Sequence, residues 1–545
     1  MGRRVGLVIL AVLVAIGAWG AWTFDEARRH MIQAQDALFY AQERLRAHDP
    51  VLAAEGVGWA RESTQAAVGS TESWVWRALA AVPKAGDSLQ AARAVILASD
   101  SAVDGLDVIA SSLTGIDTEL SHGAFDLTAL ADMDSIVAQS AGDISRARAY
   151  LATAPRAGEG AWVLPSIERK VDITEIQIDL LASTADAAQL FGDYAPTLLG
   201  EDVAKFYLVA VQTPNQMTAT GGVADLWGVV RVDDGNVTVV DSGAGEDLRR
   251  QRETPDFPTV ARAWLASYEK KAGARLDGVL AVDGTAPMFG REVTLPGGEE
   301  VPDAQKFLLS GIYDMYPEAD QGRERREVRE AIAASVVEDA FTVDLVTLER
   351  LQFQRRVMLW VRDPQVQRIL AATPIGHALL PAKQHSVESV LINTDGSRLD
   401  RTIGRVFHYD VGRCPAPDGT VRSEATLQSR IGIRRDGRMP EAMIGAARLG
   451  PNGPIGRKLL KVYLPLGAKP VAVLVGGEGH AWTQSQEAGR PVVSLPLALP
   501  PKALRAVKVE FDEPDSPDPG TIEVQPMLHG AGTVVEDRPC EQEQA

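Results

Sequence analysis

Three groups of side chains in this sequence have the types and spacing for chemistry. The first is Asp320-Gln321-Gly322-Arg323-Glu324-Arg325-Arg326-Glu327-Val328-Arg329. On a helix starting near Gly322, Arg323, Arg326 and Arg329 stand on one stripe at i, i+3 and i+6, and planar guanidinium groups so placed clamp a diphosphate. Glu324, Glu327 and Glu330 interleave with them, so a solvated face whose charges neutralise one another is the competing reading. The second group is Gln212, Thr220, Gly221 and Gly222. Here the two glycines let the backbone adopt conformations, or approach a ligand, in ways a side chain would block; a structural edge with a glycine turn explains the same residues. The third is Asp277 and Asp283, flanking Gly278–Val282. Paired acids beside a phosphate hold Mg²⁺, paired acids at the right separation cleave glycosides, and paired acids also simply end strands.

Other chemistries find no support. The eight histidines are scattered without H-x3-H spacing or a Cys/His cluster, so zinc is not indicated. G-x-S-x-G, G-x4-G-K-[ST] and a G-x-G-x-x-G following a strand are all missing. With 55 Lys and Arg against 73 Asp and Glu, the net charge of −18 argues against nucleic acid as a partner.

The elements that must position these groups follow from periodicity. Phe206–Val211 is a continuous apolar run too short for an independent helix, so it reads as a strand covered on both faces, with the polar Gln212–Gln216 emerging where it leaves the core. A second strand, Asp225–Val232, turns at Asp233-Asp234-Gly235 into a third, Asn236–Asp241. Further on, helical stretches (Pro258–Lys271, Asp303–Tyr316, Arg323–Leu351, Pro364 toward Ala372) alternate with strands at Leu276–Val282 and Arg356–Val361, an α/β order. Beyond Pro381 short alternating segments take over, from Val387–Ile392 to Thr521–Pro526, punctuated by Gly, Pro and Asp as in an antiparallel β-sandwich. Val534–Ala545 reads as a mobile acidic tail.

Upstream, Arg3-Arg4 precedes Val5–Phe24, an uncharged run of about the 20 residues a helix needs to span a bilayer. Positive residues stay inside, so the rest of the chain lies outside the cytoplasm, with Trp19 and Trp22 at the far interface. A signal peptide cleaved near Ala18-Trp19-Gly20 is the alternative. Ala27, Met31, Ala34, Leu38, Ala41 and Leu45 then form a heptad seam, and Leu89 to Leu113 repeats the three-four spacing after Asp87, a plausible N-cap. With helices near 51–68, 74–82, 129–153 and 166–192, residues 25–200 read as an antiparallel bundle, the alternative being seams that dimerise in the membrane plane. In an oxidising compartment, Cys414 and Cys540, the two cysteines of the chain, are expected to form a disulfide.

Gln212…Pro214…Ala219-Thr220-Gly221-Gly222 resembles the Gln-Asn-Pro-Ala-Glu-x-Arg-Ala-Thr-Gly-Gly signature of a membrane-anchored bacterial family known as domain of unknown function four-thousand-twelve. Gln216 and Thr218 stand where that signature has Glu and Arg. Trp76 with Pro83 and Gly86, Leu198-Leu199-Gly200, Pro255-Asp256-Phe257-Pro258, Leu276–Asp283 and Ser397-Arg398-Leu399-Asp400 fall in the family's order. Asp320, Arg323 and Arg326 are in addition similar to the arginine motif of the LytR–CpsA–Psr phosphotransferases, which move glycopolymers from polyprenyl-diphosphate carriers to the cell wall. Those enzymes carry a Ser-Ile-Pro-Arg-Asp-like loop where this chain has Asp241-Ser242-Gly243-Ala244-Gly245-Glu246-Asp247, followed by Arg249 and Arg250.

The expectation is therefore a multidomain envelope protein: cytoplasmic tip and transmembrane helix over 1–24, all-α helical bundle over 25–200, α/β domain over 201–380, and antiparallel β-sandwich with acidic tail over 381–545. Its α/β domain would bind a polyprenyl-diphosphate-linked glycan or cell-wall polymer through Gln212, Thr220–Gly222, Asp320, Arg323 and Arg326, with Mg²⁺ as a candidate cofactor. The alternative is a non-enzymatic scaffold that organises other envelope proteins.

Overall fold

The computed structural model describes residues 25–41, 43–44, 49–84, 86–113, 127–157, 160–244, 248, 253–285, 293–294, 300–301, 330–331, 334–337, 340, 351–352, 354–371, 373–379, 385–432, 441–451, 453–516, 520–526, 532–538 and 540. Val5–Phe24, Asp320, Arg323 and Arg326 lie outside them. Among the described residues no helix is long and apolar enough to cross a membrane. The chain divides into a helical unit ending at Asp202 and a sheet-containing unit from Val203 onward.

The helical unit comprises α1 (residues 25–41), α2 (Pro50–Thr71), α3 (Trp74–Ala80), α4 (Asp87–Leu113), α5 (Leu127–Leu151) and α6 (Pro165–Leu198). Local signals set the boundaries. Asp49 accepts a bond from Leu52 N at 3.0 Å ahead of Pro50, and Ser73 caps α3 through Trp76 N at 3.2 Å. Asp87 does not cap α4 but begins it, its carboxylate accepting instead from Trp162 N at 2.8 Å. The seam of α1 is used within the chain. Ala27 packs with Ala67 and Ile96, and Ala41 with Val57, Ala60 and Val103, while Ala91, Ala94 and Ala98 of α4 meet Ile144 and Ala147 of α5.

In the second unit, β1 (Lys205–Thr218), β2 (Gly221–Asp233), β3 (Asn236–Ala244), β4 (Gly278–Asp283) and β7 (Val357–Val361) make a mixed sheet in the order β3-β2-β1-β4-β7. The central strand β1 runs antiparallel to β2 and parallel to β4. Asp234 and Gly235 turn β2 into β3 with φ of 49° and 76°, the two positive values a type I′ hairpin requires. The parallel crossover passes through α7 (Phe257–Ala272), capped by Asp256 through Thr259 N at 3.1 Å and stopped by Gly273 at φ 67°. Phe257, Val260, Trp264 and Leu265 of that helix pack on Leu208, Val279 and Met358. Val293–Thr294 (β5) and Glu300–Val301 (β6) form a separate two-stranded ribbon, and α8 (Pro364–Leu370) follows β7.

Two further sheets follow. One joins β8 (Ser386–Asn393), β12 (Gly453–Tyr463), β15 (Thr483–Glu487), β16 (Arg490–Leu499) and β18 (Thr521–Val524) in the order β15-β16-β12-β8-β18, with β11 (Arg448–Gly450) beside β12. The other joins β9 (Ile403–Gly412), β10 (Thr420–Ile431), β13 (Lys469–Val475), β14 (Glu478–Gly479), β17 (Arg505–Pro514) and β19 (Gly532–Arg538) in the order β14-β13-β17-β10-β9-β19. Val387, Leu460 and Leu495 from the first share one core with Phe407, Leu427 and Phe511 from the second.

These sheets depart from the expected antiparallel pattern at two edges: β18 runs parallel to β8, and β19 parallel to β9. The stretch that reads as a mobile tail is thus an edge strand as far as Arg538. Its backbone pairing, rather than burial of its side chains, holds it, so its sequence lacks an apolar alternation. The register explains the disulfide. Gly412 pairs with Arg538, so in a parallel ladder Cys414 and Cys540, each two residues on, come side by side; they are bonded with Cα atoms 5.1 Å apart.

Candidate functional site

The polar residues after Val211 do not leave the core. β1 continues to Thr218, Thr213 pairs with Val223, and Met217 pairs with Gly222, so Pro214, Asn215 and Gln216 bulge out of the ladder and Ala219-Thr220 make the turn. Pro214, with no N–H to offer, sits where the ladder is interrupted. Gln212, Thr218 and Thr220 are all buried.

Within the tip, polar groups are matched to one another. Gln212 Nε2 donates to Thr220 Oγ1 at 3.0 Å and to Gly222 O at 2.9 Å, and Thr218 Oγ1 donates to the same Gly222 O at 3.1 Å. The glycines make this closeness possible. A Cβ on Gly222 would lie 2.3 to 2.7 Å from the Thr213 backbone, and Gly221 holds φ at 125° with Pro526 Cγ 3.2 Å from where its Cβ would be. The structure therefore brings Gln212, Thr220, Gly221 and Gly222 together.

Two further groups of the tip are bonded from the loop after β8. Gln216 Nε2 donates to Gly396 O at 2.6 Å, and Met217 N donates to Asp400 Oδ2 at 2.7 Å. Asn393 holds that loop, accepting from Gly396 N at 2.7 Å and donating to Ser397 O at 2.8 Å and Asp400 Oδ2 at 2.9 Å. The other oxygen of Asp400 pairs with Lys458 Nζ, both groups being fully buried. Burial pushes the Asp400 carboxyl above its ordinary range despite the opposing ammonium of Lys458. Nearby Asp395 goes the other way: burial raises it, but the N–H groups of Arg457 and Ser397, at 2.6 and 2.9 Å, outweigh that and hold it low.

Gln525 closes the third side. It donates to Thr218 O and, at 3.0 Å, to Leu391 O, while its own Oε1 accepts from Leu391 N at 2.9 Å and Arg405 Nη1 at 3.1 Å. Arg405 is itself buried, and burial lowers its guanidinium to about 10. The tip is thus a polar joint in which the signature near 212–222 and Ser397-Arg398-Leu399-Asp400, far apart in sequence, are hydrogen-bonded through Asp400 and its loop.

Asp277 and Asp283 do not share a site. They bracket β4 from opposite ends, about 20 Å apart at the rise of a strand. Asp277 Oδ2 accepts from Phe206 N at 2.9 Å, and Asp283 accepts from Thr285 N at 2.9 Å and pairs with Arg356. Both carboxylates fasten strand ends. Among the described residues no group of three or more His, Cys, Asp or Glu side chains gathers to hold a metal. Asp241 accepts from Tyr268 Oη at 2.9 Å. The arginine stripe lies outside the described residues, so its relation to the tip is not part of this geometry.

Gln525, Arg405 and Lys458 have no place among the sequence candidates. For two of them a signal existed: Arg405 is in phase with the buried Ile403 and Phe407, and Lys458 with Leu460 and Val462. A charge on the inward phase of an alternating strand needs a buried partner. Gln525, in a short irregular stretch, carries no comparable mark.

Residues 202–254, covering β1 to β3, match the family model described as a protein of unknown function (DUF4012). No curated protein and no solved structure matches the chain.

Proposed function

We propose that this chain is a single-pass, membrane-anchored cell-envelope protein whose part outside the cytoplasm works as a non-enzymatic scaffold. In this reading Val5–Phe24 spans the bilayer, a helical bundle follows it, and the α/β sheet and the C-terminal β-sandwich present surfaces to other envelope proteins. One observation carries it: the polar groups of the signature, Gln212, Gln216, Thr218 and Thr220, bond within the fold rather than facing an open cleft. Buried polar groups that bond within the fold serve its rigidity.

The second reading, binding of a polyprenyl-diphosphate-linked glycan, is favoured by Asp320, Arg323 and Arg326 with their spacing. One measurement separates the two: binding of a polyprenyl-diphosphate analogue to the full-length protein in detergent micelles, for wild type and for Arg323→Ala with Arg326→Ala, with and without Mg²⁺. The scaffold predicts the same negligible binding in both proteins. Wild-type binding that falls by well over tenfold in the double variant, as loss of two charge-assisted contacts demands, overturns it in favour of the glycan binder. The localisation has its own test. Protease added to intact spheroplasts digests residues 25–545, and protection of that region removes both readings.

A further inference from the structure

We infer that the end of the helical unit where α1 begins rests in the lipid headgroup region, with Trp74, Val82, Trp162 and Leu164 as its interfacial contacts. These four large apolar side chains are 66%, 44%, 58% and 43% exposed; Phe39, Val51 and Trp59, 57%, 55% and 49% exposed, lie toward the other end of α1 and α2. The four belong to one end. Trp74 opens α3 directly after α2, Val82 lies in the turn before α4, and Ser88 at the head of α4 bonds Trp162 O and Leu164 N at 3.3 and 3.0 Å.

The start of α1 is at that same end. Ala27 packs on Ala67 near the close of α2, whereas Ala41 packs on Val57 near its beginning, so α1 is antiparallel to α2 and residue 25 is level with the last turn of α2. The apolar run Val5–Phe24 therefore joins the unit where the tryptophans are exposed. Thr64 bonds Asp100 at 2.7 Å, which sets the level of α4. From Thr64 to Thr71 the rise is about 10 Å and from Asp100 back to Asp87 about 20 Å, so the head of α4 projects on the order of 9 Å past α2. An interfacial element sinks about 5–10 Å into the boundary between headgroups and acyl chains, where the amphipathic indole ring is favoured. Arg77 and Lys84 are exposed at the same tip, as are Glu72 and Asp25.

This inference rests on the reading of Val5–Phe24 as an anchor, and the test keeps the two apart. The full-length protein is reconstituted into phosphatidylcholine–phosphatidylglycerol vesicles containing a lipid with a doxyl quencher high on its acyl chain. Wild type, Trp74→Phe with Trp162→Phe, and Trp59→Phe are compared. Trp59 is 49% exposed but sits mid-helix in α2, about 18 Å short of Thr71. The emission lost in the double variant is expected to be quenched at least twofold, and that lost in Trp59→Phe to be unquenched. If the protein floats with the vesicles and the Trp74 and Trp162 emission is unquenched, the anchor stands and the interfacial contact is overturned. If it does not float, the anchor reading fails and the inference with it.

Discussion

The two units treat charge in opposite ways. In the helical unit the contact residues are small and apolar, with Ala60, Ala67, Ala91 and Ala98 fully buried, and the ion pairs sit outside: Arg61 with Asp104 and Asp107, Arg148 with Asp179, Arg156 with Asp172 and Glu175. In the sheet-containing unit Lys458–Asp400 and Arg355–Glu388 are inside. The difference begins with the backbone. A helix satisfies its own peptide groups, so its contacts need only fit. In β1 past the bulge, Met217 N and Thr218 O are buried and bond side chains, those of Asp400 and Gln525. Asp400 answers Met217 and Lys458 answers Asp400, so one buried backbone N–H at a strand end is met by a charge pair in the interior.

That account is most exposed to failure at Asp400. Asp400→Ala leaves Lys458 buried and unpaired, and deprives Met217 N and Asn393 of an acceptor, so it should cost about 3–5 kcal/mol in chemical denaturation. Adding Lys458→Met should recover much of that, because the pair stabilises less than its breakage destabilises. A single variant as stable as wild type would mean the interior pair is no different from the exposed ones.

The next largest effect belongs to the edge strand β19. Replacing Cys414 and Cys540 together by serine should cost about 2–4 kcal/mol, since the bond closes a loop across 126 residues of sequence. Thiol labelling of the denatured, unreduced wild type checks the premise, with no reactive thiol expected.

Glycine substitutions sharpen the contrast with opposite signs. Gly222→Ala drives a Cβ into the Thr213 backbone and should destabilise by about 1–3 kcal/mol. At Gly58, within α2, a Cβ meets nothing within 4 Å, so Gly58→Ala should stabilise by about 0.4–1 kcal/mol through reduced freedom of the unfolded chain. Thermal unfolding followed by circular dichroism reads both shifts, and equal signs would erase the distinction.

The smallest effect is expected at the surface. Arg156→Ala removes contacts of 3.0 and 2.5 Å to Asp172 and Glu175, yet these groups are well solvated and the loss should stay below about 1 kcal/mol and shrink further in salt. A larger, salt-insensitive loss would show that the helical unit also depends on its ion pairs.

Period and punctuation alone located the helices of the first unit and most strands of the second, because those features are local: a seam at Ala27, Ala34 and Ala41, a turn at Asp234-Gly235. Several short strands escaped, the edge strands β15 and β19 among them. β15, Thr-Gln-Ser-Gln-Glu, and β19 are held by ladder pairing with almost no buried side chain, and a strand without an inward face has no alternation to show. Residue type also singled out Gln212 and Thr220–Gly222 as special, and Gly222 is special for a local reason, the approach of Thr213. What those residues face was decided only by tertiary structure. The partners of the hairpin tip, Gly396, Asp400 and Gln525, lie about 180 to more than 300 positions along the chain, and a hydrogen bond leaves no periodic trace in either of the segments it joins.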